Sequence, residues 1–384
     1  MAALAASDGA FSAMVKKPKL LALESLRGFA ALAVVLHHFR YGSLLSENAF
    51  IRHGYLMVDF FFVLSGFVIA LNYANRLSSP AELASFQRRR FWRLYPLHLF
   101  TLLIFLGIEC LKYIFEQKTG IISNNPAFVV SDAKAFLANL FLLQGVVLSE
   151  LGFNIPSWSI SVEFWTYLIF ALTVGLLRLP VRWCLVLAGG AAIILLVLEG
   201  GRLETDPIFA IIRCVFSFFL GAWAASLHVR LPRKAAAPMA AAALTLVVLA
   251  IWGLGGGRAE ILLPPLFAVT VVAVANLQED TSLRRFLEWP SFVWLGTVSY
   301  SVYLTHSIVG WAVTQILRFG LKVPTHVAPD GDTVLTLDQG FATLVTLAAI
   351  GGVLVVSTLT FRFIEKPFLS GWPFGARAVA AREG

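Results

Sequence analysis

Apolar runs of about 20 residues recur ten times along this chain, over 20–39, 54–74, 94–115, 157–177, 182–198, 208–228, 236–254, 260–277, 292–317 and 340–363. A helix rises 1.5 Å per residue, so roughly 20 residues cross the 30 Å hydrocarbon core of a bilayer. Inside that core every backbone N–H and C=O needs a partner, which a helix supplies within its own segment. The repetition predicts an all-α integral membrane protein of about ten transmembrane helices, with no soluble domain. Composition agrees: 58% of the 384 residues are hydrophobic and 14% charged, and the mean hydropathy is +0.80. A further apolar piece, 135–147, is too short to span and reads as re-entrant or interfacial.

The net charge of +8 does not call for a nucleic-acid partner, because in a membrane chain excess Lys and Arg mark cytoplasmic loops. With the N terminus inside, 19 of the 30 Lys and Arg fall in cytoplasmic segments and 9 opposite, with Arg27 and Arg213 inside spans. This predicts both termini in the cytoplasm: a tail over 1–19, a membrane domain over 20–368 and a second tail over 369–384. Loop positions such as Asn124 and Asp330 would then face outwards. The bases of the N-terminal segment follow a weakly apolar start, the wrong order for a cleaved signal peptide, so the first helix should remain as an anchor. Cys110, Cys184 and Cys214 are odd in number and show no CxxC spacing. They read as buried apolar residues, with neither a disulfide framework nor a metal site.

Ionisable groups inside the spans cost several kcal/mol each and by default mark a functional site. The first span, "LESLRGFAALAVVLHHF", carries Glu24, Arg27, His37 and His38. Arg27 and His38 are eleven positions apart, which at 100° per residue returns them to within about 20° of one another, about 16 Å apart along the axis. His37 points about 100° away. Glu24 lies one turn before Arg27 and can pair with it. The alternative for Arg27 alone is a snorkelling arginine, but a shared polar face on a spanning helix usually lines a cavity.

In the second span, "MVDFFFVLSGFVIA", Asp59 is ionisable just inside the membrane and would pair with a histidine or arginine of the first helix. Ser65 and Gly66 read as close helix packing. "FQRRRFWRLYPLHLF" places Arg88, Arg89, Arg90 and Arg93 at the start of the third span. Arg88 and Arg89 are explained as a positive-inside anchor, whereas Arg90 and Arg93, at i,i+3, project from one side of a helix and can grip phosphates bidentately. Glu163 lies about two turns into "IPSWSISVEFWTYLIF" and calls for a cation, histidine or arginine, beside it. His306 is mid-span in "GTVSYSVYLTHSIV", one turn after Tyr303. Glu365 and Lys366, in "FRFIEKPF", read as interfacial.

The blocks "LRGFAALAVVLHHF", "VDFFFVLSGF", "RFWRLYP", "PSWSISVEFW", "SYSVYLTH" and "FIEKP", in this order, resemble the signatures of the family 3 membrane-bound acyltransferases. The resemblance runs from about Leu20 to Phe368. Its "VEF" replaces the more frequent "VEE", leaving Glu163 matched and its neighbour not. It implies a ten-span enzyme of the bacterial inner membrane that moves an acyl group, acetyl by expectation, from cytoplasmic acyl-CoA to a hydroxyl of a carbohydrate or glycoside acceptor. It assigns His38 to the reacting centre, as general base or transient acyl carrier, with Glu163 or Asp59 orienting it. Arg90 and Arg93 would hold the donor's phosphates, and Arg27, Glu24, Tyr303 and His306 would line its route. Acyl-CoA would be a substrate, with no permanently bound cofactor and no metal. The partners would be the bilayer, donor and acceptor, with self-association left open. Many members carry an SGNH hydrolase domain after the last span, for which this chain is expected to end too soon. The competing reading is a proton-coupled transporter or flippase of glycan or lipid precursors, which predicts paired inverted repeats and broken helices; neither is evident in the sequence.

Overall fold

The computed structural model describes residues 20–122, 125–204, 206–327 and 333–369. The expected tails over 1–19 and 369–384, apart from Leu369, and the loop positions Asn124 and Asp330, lie outside the described residues. Ten long helices succeed one another: α1 (Leu21–His38), α2 (Met57–Tyr73), α3 (Pro80–Thr119), α4 (Trp158–Phe170), α5 (Cys184–Leu198), α6 (Ala210–Ser226), α7 (Arg233–Leu254), α8 (Leu263–Ala275), α9 (Pro290–Gln315) and α10 (Gln339–Thr360). Each falls on one of the ten apolar runs. Among the described residues nine segments are both long and apolar enough to cross a bilayer. The tenth helix, α9, is 26 residues long but dilutes its apolar run with Ser299, Ser301, Tyr303, Thr305 and His306. All five of these are buried, so the polarity of α9 is turned into the protein.

At 40 residues, α3 is about 60 Å long, twice the hydrocarbon core. It starts well before its apolar run because Ser79 and Glu82 form a capping box and Pro80 occupies the first turn. The arginine cluster is therefore carried on continuous helix.

Two helix pairs are drawn into backbone contact by glycine. A Cβ at Gly66 of α2 would lie 1.9 Å from the Phe218 carbonyl oxygen of α6, and one at Gly221 would lie 2.0 Å from that of Val63. Gly66 thus packs as its residue type suggests. Between α1 and α9, a Cβ at Gly296 would lie 2.0 Å from the Glu24 carbonyl oxygen.

The 135–147 piece breaks into two short helices, Ala133–Leu140 and Gln144–Val147, around Leu142 in the left-handed region (φ 55°). The Leu142 carbonyl accepts from Ser161 Oγ (2.6 Å) and Trp165 Nε1 (2.7 Å) of α4. That tether holds the segment against the bundle, and neither piece is long enough to span. Thr325–Val327 and Thr333–Leu335 pair as a small antiparallel ribbon between α9 and α10.

Candidate active site

Positions 296, 299, 303 and 306 of α9 recur at helical spacing and share a face. Each meets a side chain from another element. Arg27 donates through Nε to Ser299 Oγ (2.8 Å) and through Nη2 to the Gly296 carbonyl (2.9 Å) and to Glu24 Oε1 (2.8 Å). The Glu24–Arg27 pair foreseen from one-turn spacing is therefore formed. Tyr303 OH receives a hydrogen bond from Ser159 Oγ (2.8 Å) and donates to the Pro156 carbonyl (3.0 Å). The His306 ring lies 4.9 Å from that of His38. Ten residues of α9 separate Gly296 from His306, about 15 Å, close to the rise between Arg27 and His38 on α1. Both residues of the R-x10-H pair thus face α9. His37 turns elsewhere, its ring 5.5 Å from Tyr55.

His38 is exposed, and its Nδ1 is 2.9 Å from the Val34 carbonyl oxygen. A carbonyl can only accept, so Nδ1 carries the hydrogen and Nε2 of the neutral ring keeps its lone pair. His306 Nδ1 makes the equivalent bond to the Tyr303 carbonyl at 2.7 Å.

A cavity of about 820 Å³ is lined by α1, α2, α3, α4 and α9. Along α2 its lining runs from Val58 to Asn72, about 21 Å of helix. Arg90 and Arg93 stand at the Asn72 end; Glu24, Arg27, Ser65, Glu163 and Tyr167 line the middle; Val58, Phe61, Phe62, Ile160 and Tyr303 line the other end. Six of the nine residues to which the resemblance gives a role therefore line one cavity: Glu24, Arg27, Arg90, Arg93, Glu163 and Tyr303. His38, His306 and Asp59 do not. The two histidines lie just past the Tyr303 end, where the Tyr303 and His306 rings are 6.0 Å apart.

The arginine cluster divides as its spacing suggests. Arg88 and Arg89 are exposed, while Arg90 and Arg93 are half-buried and line the cavity. Arg90 donates to Tyr73 OH (3.2 Å), and its guanidinium lies against the rings of Tyr73, Phe86 and Tyr167. Its Nε is buried with no hydrogen-bond partner. Arg93 makes no hydrogen bond or ion pair among the described residues; its charge is offset at longer range by Glu365, Glu24 and Glu163. Two guanidinium groups with unused donors at one end of a cavity suit a phosphorylated ligand.

Four expectations are corrected. Cys110 is exposed on α3 rather than buried, whereas Cys184 and Cys214 are buried. Asp59 does not pair with α1: it is buried and held by Arg213 of α6, which reaches both its oxygens through Nε (3.1 Å each) and Oδ2 through Nη2 (2.6 Å), with Ser217 Oγ at 3.0 Å. A carboxylate so saturated has no capacity left to orient an imidazole. Glu163 finds neither histidine nor arginine in hydrogen-bond contact; Tyr167, one turn on, donates to its Oε1 at 2.6 Å. That hydrogen bond uses the single hydroxyl proton of Tyr167, so Ser65 Oγ, 2.9 Å away, is the donor to the Tyr167 oxygen. Ser65 is thus a cavity-lining polar group in addition to a packing residue. Glu365 is not interfacial but 3% exposed, and accepts from Ser301 Oγ at 2.9 Å. Its position in the "FIEKP" block was the one signal that set it apart from an ordinary helix-end carboxylate.

A cavity among membrane-length helices, with two arginines at one end and an imidazole beyond the other, is the arrangement a group-transfer site needs. Residues 20–362 match the family model described as an acyltransferase domain, and the chain belongs to that family. It is 35% identical over 190 residues to acyltransferase MdmB of Streptomyces mycarofaciens, covering 47% of this chain and 46% of the relative. It is 23% identical over 380 residues to the putative peptidoglycan O-acetyltransferase YrhL of Bacillus subtilis, covering 90% and 54%. Against O-acetyltransferase OatA of Staphylococcus aureus it is 26% identical over 160 residues, covering 40% and 24%. The matched region spans about half the length of the first two relatives and a quarter of the third. No solved structure matches.

Proposed function

We propose that the protein is an O-acyltransferase of the bacterial inner membrane, moving an acetyl group from acyl-CoA to a hydroxyl of a cell-surface or secreted carbohydrate. The observation that carries this reading is the cavity running from the free donors of Arg90 and Arg93 to Tyr303, with the His38 imidazole just beyond. The names of the relatives, two of them O-acetyltransferases, favour an acetyl group and an oxygen acceptor. The 19-to-9 distribution of Lys and Arg favours an arginine end on the cytoplasmic side, where acyl-CoA is made.

In this reading the donor's phosphates lie on Arg90 and Arg93 and its thiol arm runs along the cavity towards Tyr303. The acceptor approaches from the other side, where His38 is exposed. Nε2 of His38 takes the hydroxyl proton as the oxygen attacks the thioester carbonyl. Collapse of the tetrahedral intermediate breaks the C–S bond, and the thiolate recovers the proton from the imidazolium. The exchange is charge-neutral and leaves an ester and free CoA. Arg27 ties α1 to α9 in the middle of the cavity and so fixes the face that presents His38.

The test is mass spectrometry of surface glycans from cells with and without the gene, paired with transfer of labelled acetyl from acetyl-CoA in membranes containing the protein. A glycan that loses acetyl esters without the gene supports the reading. Unchanged glycans together with no transfer from acetyl-CoA would overturn it.

A further inference from the structure

We propose that the Tyr303 end of the cavity is the acyl subsite, and that Phe61 is the residue restricting it to short acyl chains. The inference rests on the thioester reading above. Val58, Phe61 and Phe62 stand at i, i+3 and i+4 on α2 and share one face, and with Ile160 and Tyr303 they line that end of the cavity. Val58, Phe62, Ile160 and Tyr303 are buried, and Phe61 is half-buried. The Phe61 ring meets Tyr303 edge to face at 5.8 Å, and Phe62 meets Trp158 edge to face at 6.2 Å. The end of the cavity is therefore an aromatic wall.

The wall is also rigid. The Tyr303 hydroxyl is held by Ser159 and the Pro156 carbonyl, so its ring cannot swing aside without breaking a buried hydrogen bond. Nor can α2 retreat, because backbone contacts at Gly66 and Gly221 lock it against α6. A thioester carbonyl presented to an oxygen near His38 puts its acyl group against this wall. A methyl fits such a space, whereas each added methylene must displace a packed ring, and interiors resist that. Phe61 is the member whose loss opens space at least cost to the fold, since it is half-buried and carries no hydrogen bond.

The experiment gives membranes containing the full chain, with their own glycan, equimolar acetyl-CoA and hexanoyl-CoA, and measures the ratio of the two esters by mass spectrometry. Wild-type protein should favour acetyl by a hundredfold or more. Phe61→Ala should narrow the ratio at least tenfold, chiefly by raising the hexanoyl ester, and Phe61→Leu should fall between. Val68→Ala, which enlarges the cavity nearer Arg90, should leave the ratio unchanged. A wild-type ratio near one overturns the proposal. So does an unchanged ratio in a Phe61 variant that still transfers acetyl, or an equal shift in Val68→Ala. Should Phe61→Ala fail to fold, Phe61→Leu decides. No transfer by wild type from either thioester would instead sink the donor reading, and the proposal with it.

Discussion

Two arginine–carboxylate pairs stand inside the membrane bundle in opposite circumstances. Arg213 and Asp59 are 5% and 0% exposed, with a 2.6 Å contact and further bonds to the Tyr55 carbonyl and Ser217. Arg27 and Glu24, also in contact at 2.8 Å, are 24% and 36% exposed and border the cavity. The first pair joins α2 to α6, and the Asp59 carboxylate spends its acceptors on Arg213 and Ser217. The second faces the cavity that Arg90 and Arg93 also line, where donors are left unused. The contrast teaches how to sort charges in a membrane protein. A pair saturated by its neighbours holds helices together, whereas charges bordering a cavity with spare hydrogen-bonding capacity await a ligand.

The largest expected effect breaks the sealed pair. Asp59→Ala or Arg213→Ala should cost about 3–5 kcal/mol, because each strands its partner's charge in the bundle. Thermal unfolding in detergent should show that loss, and the double replacement Asp59→Leu with Arg213→Met should recover most of it. Single variants that keep wild-type stability and lose only turnover would move the pair into the active site.

His38→Ala should lower acyl transfer by about 10²- to 10⁴-fold, the usual contribution of a proton-transfer group, with acyl-CoA binding and melting temperature close to wild type. Turnover measured at matched protein level checks this. Near-normal turnover would remove His38 from the mechanism and leave the cavity without its base.

At the arginine end, Arg90→Ala or Arg93→Ala should weaken acyl-CoA binding by about ten- to a hundredfold, since a charge-assisted hydrogen bond contributes about 1.5–3 kcal/mol. Equilibrium binding of labelled acetyl-CoA reads this directly. The smallest changes belong to Arg88→Ala in the same assay and to His37→Ala in turnover, because Arg88 is exposed and His37 turns to Tyr55. Equal effects at Arg88, Arg90 and Arg93 would reduce the cluster to a topology signal.

Much of this was legible in the chain. The spans could be read because a helix satisfies its own backbone, so an apolar run of the right length suffices. The common face of Arg27 and His38 followed from 100° per residue. Glu163 and Tyr167, i and i+4 on α4, are also within reach of helical spacing, although a buried carboxylate points first to a cation rather than to a hydroxyl. What escaped were contacts between residues far apart in sequence. Asp59 and Arg213 are 154 positions apart, and no periodicity joins them. Glu365 looked interfacial because Lys366 and Pro367 follow it and the helix is ending, yet it is tucked beneath α9.

The sequence by itself determined which segments are helices and which faces of α1 and α3 are charged, because each of these is set within one segment by fixed helical geometry. Only the tertiary structure decided which charges are consumed by partners and which are left facing space. That outcome depends on how closely helices approach, and here the approach is set by backbone contacts at Gly28, Gly66, Gly221 and Gly296. A glycine in sequence says that close contact is allowed, but not against which helix.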